Sequence, residues 1–126
     1  PEREGLLDTP TRVVKAMKEM TCGYKQSPQK ILSKQFEGDN YDDLVIVRGI
    51  RFASLCEHHL LPFVGTCAIG YLPRRKVGVY VQATHQCMAC RGARQPDADM
   101  VTTTVLGEMR ENPSLKLEFL QAVHNG

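Results

Sequence analysis

The sequence predicts an α+β chain. Three observations carry this. Capping and proline signals cluster before residue 35, β-branched residues concentrate between residues 44 and 105, and Asn112-Pro113 opens an amphipathic stretch reaching past Val123. Strands grouped together, with helices before and after them, fit α+β packing better than an alternating parallel architecture. A chain of 126 residues is long enough for one domain with a modest core.

The elements follow in order. Asp8-Thr9-Pro10-Thr11-Arg12 reads as a helix start, with Thr9 as cap and Pro10 at the first helical position. Val13, Val14, Met17 and Met20 recur at helical spacing, and Gly23 is the expected stop. Lys25 to Lys34 reads as a second, short helix with Ser27 as its cap and Pro28 following. Asp39 to Asp43 is a polar connection. Strands are expected at Leu44 to Arg48 continuing through Ile50 to Leu55, at Thr66 to Tyr71, at Gly78 to Ala83 and at Val101 to Val105. The second and third are expected to form a hairpin around Pro73 to Lys76. In the last helix Leu117, Leu120 and Val123 share one face, with Phe119 beside it. Repeats and low-complexity tracts are absent from the sequence.

Charge narrows the function classes. Sixteen basic and 14 acidic residues give a formal net charge of +2. A general nucleic-acid binder carries a concentrated basic stripe, and the short run Arg74-Arg75-Lys76 reads as a solvated turn instead. No apolar run approaches membrane-spanning length, and Pro1-Glu2-Arg3-Glu4 lacks the apolar core of a signal peptide. The expectation is a cytoplasmic protein with no membrane or nucleic-acid partner. Five cysteines form no disulfide-framework spacing. In a reducing compartment, clustered Cys and His more often bind metal or catalyse.

Two such clusters stand out: Cys56-Glu57-His58-His59 and His85-Gln86-Cys87-Met88-Ala89-Cys90. Thiolate and imidazole are the ligands zinc prefers. Two zinc readings compete. Cys56, His59, Cys87 and Cys90 could close a four-ligand structural site, whose spacing is good. Alternatively only three of them bind, and the fourth position holds a water that zinc acidifies toward neutrality. A closed site needs neither His58 nor His85, and both look like proton-transfer groups, which favours the second reading. Arg91 beside such a site suggests an anionic substrate, since its planar fork suits phosphate. His85 sits two residues before Cys87, so on a strand both side chains would share one face.

Three stretches, Cys56 to Gly65 (CEHHLLPFVG), Ile69 to Pro73 (IGYLP) and Ala83 to Gly92 (ATHQCMACRG), closely resemble the GTP cyclohydrolase I family. Pro1 to Arg12 and Thr102 to Gly107 resemble it too, so the likeness runs through nearly the whole chain. The resemblance implies a tunnelling fold: an antiparallel sheet with helices on one face and an N-terminal helical segment, assembling into a decameric ring with active sites at interfaces. It implies one domain, residues 1–126, with 1–38 as the helical part and 44–126 as the tunnelling part. It implies zinc-dependent conversion of GTP to 7,8-dihydroneopterin triphosphate and formate, in folate or tetrahydrobiopterin synthesis, with a regulatory protein as a further partner. By motif, Cys56, His59 and Cys87 look like the zinc ligands. His85 resembles the proton donor to the guanine imidazole ring, and His58 the histidine near the ribose. Arg91 and Arg12 resemble triphosphate contacts. Cys90 matches no ligand position, which favours the open catalytic site over the closed one.

The sequence departs from the family in one place. After Gly-Tyr-Leu-Pro the family continues into Gly-Leu-Ser-Lys and two helices, ending near a Gln-Glu pair. Here Tyr71 to Val77 runs directly into Gly78 to Val81. The phosphate-holding serine, lysine and arginine and the guanine-reading glutamate are absent. A segment between Val77 and Gly78 is expected to be missing from these 126 residues rather than lost in a shortened form, because the motifs on both sides are intact and loss of two packed helices would expose much of the sheet's apolar face. A shortened form would keep zinc but turn over GTP poorly or not at all, as an inactive relative of the same fold; a non-enzymatic zinc-stabilised module is the separate alternative in which Cys56, His59, Cys87 and Cys90 all bind.

Overall fold

The computed structural model describes residues 2–34, 42–72 and 76–125. The chain divides into two compact units, Pro1–Phe36 and Glu37–Gly126. Part of the expected polar connection at 39–43, and the expected turn at 73–75, lie outside the described residues.

The first unit holds helices α1 (Glu4–Leu7), α2 (Thr9–Met20) and α3 (Pro28–Leu32), with a 3₁₀ turn at Cys22–Lys25. The expected cap at Thr9 is not where the helix is bounded. Asp8 is already in helical geometry (φ −89°, ψ −4°), because α1 leads directly into α2. Its carboxylate instead pairs with Arg12 one turn on, at 3.3 Å. The end of α2 also comes before Gly23: the Thr21 hydroxyl donates to the Met17 carbonyl at 2.7 Å, beside the Thr21 N–H that bonds the same oxygen at 3.1 Å. Ser27 does cap α3, its hydroxyl oxygen accepting the Lys30 N–H at 3.3 Å.

The second unit is a four-stranded antiparallel sheet in sequence order: β1 (Val45–Leu55), β2 (Pro62–Leu72), β3 (Lys76–His85) and β4 (Met100–Gly107). Two short helical pieces, α4 (Gln86–Ala89) and α5 (Glu108–Glu111), and a longer helix, α6 (Pro113–His124), complete it. Lys76, expected in the turn, is a strand residue paired with Leu72, and its ammonium meets Glu108 at 2.7 Å. Asn112 caps α6, its side-chain oxygen accepting from the N–H groups of Ser114 (3.0 Å) and Leu115 (3.3 Å). Among the described residues, no helix is long and apolar enough to cross a membrane.

Ala68, Tyr80, Met109 and Phe119 form the core, flanked by Leu44, Ile46, Val105, Leu115, Leu120 and Val123. Phe119 was expected beside the apolar face of α6, and it is the centre of that face, fully buried. Leu117, expected on the face, is exposed. The buried stripe is therefore Leu115, Phe119 and Val123, four residues apart, with Leu120 alongside. Phe119 lies against the sheet where the cross-strand pair Gly70–Gly78 leaves room for it. A Cβ at Gly70 would come 2.5 Å from Phe119 Cδ2, and one at Gly78 would come 2.6 Å from Met109 Sδ.

In β1 an extra residue falls between Val47 and Ile50, at Gly49, whose φ of +72° suits glycine. Beyond this bulge Phe52 lies opposite Gly65, and Ser54 opposite Phe63. Phe52, Phe63 and His85 thereby share the sheet face that points away from α6.

Candidate metal centre

The two chemical clusters meet at one end of the sheet. β1 ends at Leu55 and passes into a turn that leads back to β2. Two backbone bonds close this turn: Cys56 N–H to Leu61 O at 2.9 Å, and Leu60 N–H to Cys56 O at 2.8 Å. Closing it puts Leu60 in the left-handed region, φ 53°. Cys56 is half-buried at the base, and His58 and His59 are exposed on the turn. His59 Nδ1 lies 3.6 Å from Cys56 Sγ, and the two imidazoles stand edge to face with centroids 6.1 Å apart.

The second cluster arrives from β3. Cys87 was expected to continue the strand and share a face with His85 by alternation. The strand instead ends at His85, in extended geometry (φ −94°, ψ 118°), and Cys87 is buried in the short helix α4. The strand-to-helix turn still keeps the pair together, with His85 Nδ1 4.0 Å from Cys87 Sγ. Ligand atoms of Cys56, His85 and Cys87 all lie within 4.8 Å of one another. This trio contains the two expected ligand cysteines and the histidine that the family motif marks as a proton donor.

The thiols differ in character. The His58 backbone N–H beside its sulfur, helped by that of His59, lowers the Cys56 thiol below its ordinary value despite partial burial. Burial pushes the Cys87 thiol up, and the adjacent Cys56 adds to this, outweighing the opposing charge of Arg91. Cys90 is turned elsewhere: it is exposed, and its thiol donates to the Gln86 carbonyl at 2.8 Å. Arg91 follows α4 on the exposed side. Arg12 belongs to the first unit, where its guanidinium is largely exposed and paired with Asp8.

Sequence reasoning missed Phe63. Its ring is stacked flat on His85, centroids 4.4 Å apart and planes 2° from parallel. Phe52 meets Phe63 edge-on at 5.9 Å. Sequence spacing alone shows no link between residues this far apart. The signal was the β2–β3 register, which pairs Phe63 directly with His85.

Comparison with known proteins fits this picture. The GTP cyclohydrolase I family model matches residues 1–78 and 75–124. A protein named GTP cyclohydrolase 1 from Alkalilimnicola ehrlichii is 36% identical over 163 residues, covering 98% of this chain and 88% of its own. The protein of that name from Janthinobacterium sp. is 39% identical over 161 residues, covering 94% and 81%. The human protein of that name is 34% identical over 165 residues, covering 99% and 66%. Matched from near one end to the other at these identities, the chain belongs to the GTP cyclohydrolase I family.

Proposed function

We propose that this chain converts GTP to 7,8-dihydroneopterin triphosphate and formate, with a zinc ion held by Cys56, His59 and Cys87. The observation that carries the proposal is the convergence of the Cys56 and Cys87 sulfurs with an imidazole nitrogen of His85 at the end of the sheet, with His59 Nδ1 3.6 Å from the Cys56 sulfur. That donor set fits zinc: two soft thiolates, and a neutral imidazole available from His59 or His85. The Cys56–His59 proximity supports His59 as the third ligand, and the exposed turn leaves that flank open to a substrate. When bound, zinc acidifies a water enough for it to attack at neutral pH.

The residues divide the remaining work. The imidazole ring of guanine is aromatic and resists addition of water. A proton placed on N7 makes C8 electrophilic, and His85 is the group for that transfer. His58, on the exposed turn, is suited to move protons at the ribose as it opens. Arg91 and Arg12 supply fixed positive charge for the triphosphate. The same reading gives a cytoplasmic enzyme with the tunnelling fold. It assembles as a decameric ring with interface active sites and serves folate or tetrahydrobiopterin synthesis, where a regulatory protein could bind. Zinc analysis together with a GTP assay that follows pterin and formate tests the proposal. His59→Ala should lose the metal and turnover together, whereas His85→Asn should lose turnover and keep the metal. Metal loss in the His85 variant would exchange the two roles.

One observation favours a second reading, a relative that keeps zinc but turns over GTP poorly. The alignments run 161 to 165 positions against 126 residues, so the relatives carry a few dozen positions without a counterpart here. The two family-matched stretches meet at residues 75–78, where β2 and β3 pair directly from Leu72 and Lys76. A protein with one zinc per chain and no pterin product would establish this second reading. The closed four-ligand module has less support, because the Cys90 thiol is turned to the Gln86 carbonyl.

A further inference from the structure

We propose that Phe63 is a positioning residue for His85, fixing the plane of the imidazole so that Nδ1 faces the thiol pair and Nε2 is left for the purine. This rests on the role given to His85 above. His85 is the last residue of β3, half-buried, with no strand beyond it to restrain its side chain. The second side-chain torsion of histidine is broad, so an imidazole at such a site would sample many ring planes. Phe63 is its direct cross-strand partner, and its ring lies parallel to the imidazole, with centroids 4.4 Å apart. Tilting the imidazole would break that stack.

The stack is itself supported. Phe52 abuts the edge of Phe63 at 74°. Gly65 is the residue opposite Phe52. A Cβ at Gly65 would run into the Gln82 carbonyl and Ala83 on β3, so the strands are also held close at this point. Phe52, Phe63 and His85 thus form an aromatic row across three strands, ending at the metal cluster. The stack sets the plane, and two flipped orientations remain within it. The Cys87 sulfur, 4.0 Å from Nδ1, selects the one with that nitrogen turned inward.

The experiment compares the parent with Phe63→Leu and Phe63→Tyr by NMR of the His85 ring protons, assigned with His85→Asn, and by GTP turnover. In the parent, the Phe63 ring current should move the His85 resonances upfield. Phe63→Leu should lose that shift and lower kcat by about three- to tenfold, the worth of one aromatic pair. KM and zinc content should stay unchanged. Phe63→Tyr, which keeps the ring, should keep both the shift and the rate. Phe63→Met, unbranched and ringless, replaces the leucine variant if that one does not fold. Unshifted resonances in the parent, or a shift that survives loss of the ring, would overturn the proposal with or without turnover. A lost shift with kcat unchanged would overturn the positioning role as well. The role of His85 itself fails separately, if His85→Asn keeps its turnover.

Discussion

Gly70→Ala should destabilise the protein through Phe119, and Phe119→Leu should partly rescue it. A Cβ at Gly70 would lie 2.5 Å from Phe119 Cδ2 and 2.8 Å from Cε2, well inside van der Waals contact. Phe119 has no exposed surface through which to escape, since it is 0% accessible and held between the sheet, Met109 and its own helix. Overpacking of this kind costs about 1–3 kcal/mol, offset by about 0.4–1 kcal/mol from the stiffer unfolded chain. The net loss is therefore about 0–2.6 kcal/mol, centred at about 1.3 kcal/mol. Phe119→Leu alone loses buried ring surface and leaves a void, for about 1–2 kcal/mol. In the double variant the new methyl fills part of that void, so the two losses should fall short of additivity by about 1 kcal/mol. Urea unfolding of the four proteins, all with zinc or all without, measures this. Losses that add to within about 0.3–0.5 kcal/mol would refute a direct clash at this pair.

Other expectations concern the site. Cys87→Ser should abolish zinc binding and turnover, whereas Cys90→Ser keeps both, because the serine hydroxyl can replace the thiol in its bond to the Gln86 carbonyl. Zinc titration of the two variants decides this, and equal loss would contradict it. Stripping zinc under oxidising conditions should link Cys56 to Cys87, whose sulfurs lie within 4.8 Å, and peptide mapping should find that pair and no other. In the zinc-free, reduced protein, Cys56 should alkylate at lower pH than Cys87. Its thiol is lowered by neighbouring N–H groups and is more accessible, whereas burial raises that of Cys87. A pH series of iodoacetamide labelling showing the reverse order would count against this geometry. Leu60→Gly should leave the fold intact and stabilise it by up to about 1 kcal/mol, since a left-handed leucine costs about 1–2 kcal/mol and glycine returns part of that as entropy. Thermal unfolding that shows a clear loss would mean the Leu60 side chain contributes packing beyond its 58% exposure.

Much of the fold was legible because its signals are local. Ser27 and Asn112 cap where short polar residues precede proline, and the β-branched runs became strands. Element ends were less legible. Thr9 resembled a cap, and only the presence of α1 just before it made Asp8 helical. Leu117 and Phe119 exchanged roles because two apolar faces of α6 are compatible with helical spacing, and the glycine pair on the sheet, which has room only for Phe119, decides between them. The cysteines and histidines of the site announced themselves by type and spacing. Phe63 did not, since its partner depends on register, and a slip of one residue would turn it to the opposite face.

The extra residue in β1 has a consequence for which changes in chain length this fold can tolerate. Ile46, before Gly49, lies on the side of the sheet that carries α6, opposite Gly70. After Gly49 the parity is reversed, so that Phe52 falls on the other side and Cys56 leaves the strand toward His85 and Cys87. Removing one residue there, or adding one, would invert every position up to the turn. Phe52 would be driven toward the helix, and the cysteine would start from the wrong side. Between Ile46 and Cys56 the chain is thus a counted length. A single-residue deletion near Gly49, removed from Cys56 along the strand, should disable the metal site as thoroughly as losing a ligand would, whereas many substitutions of side chains there should be tolerated.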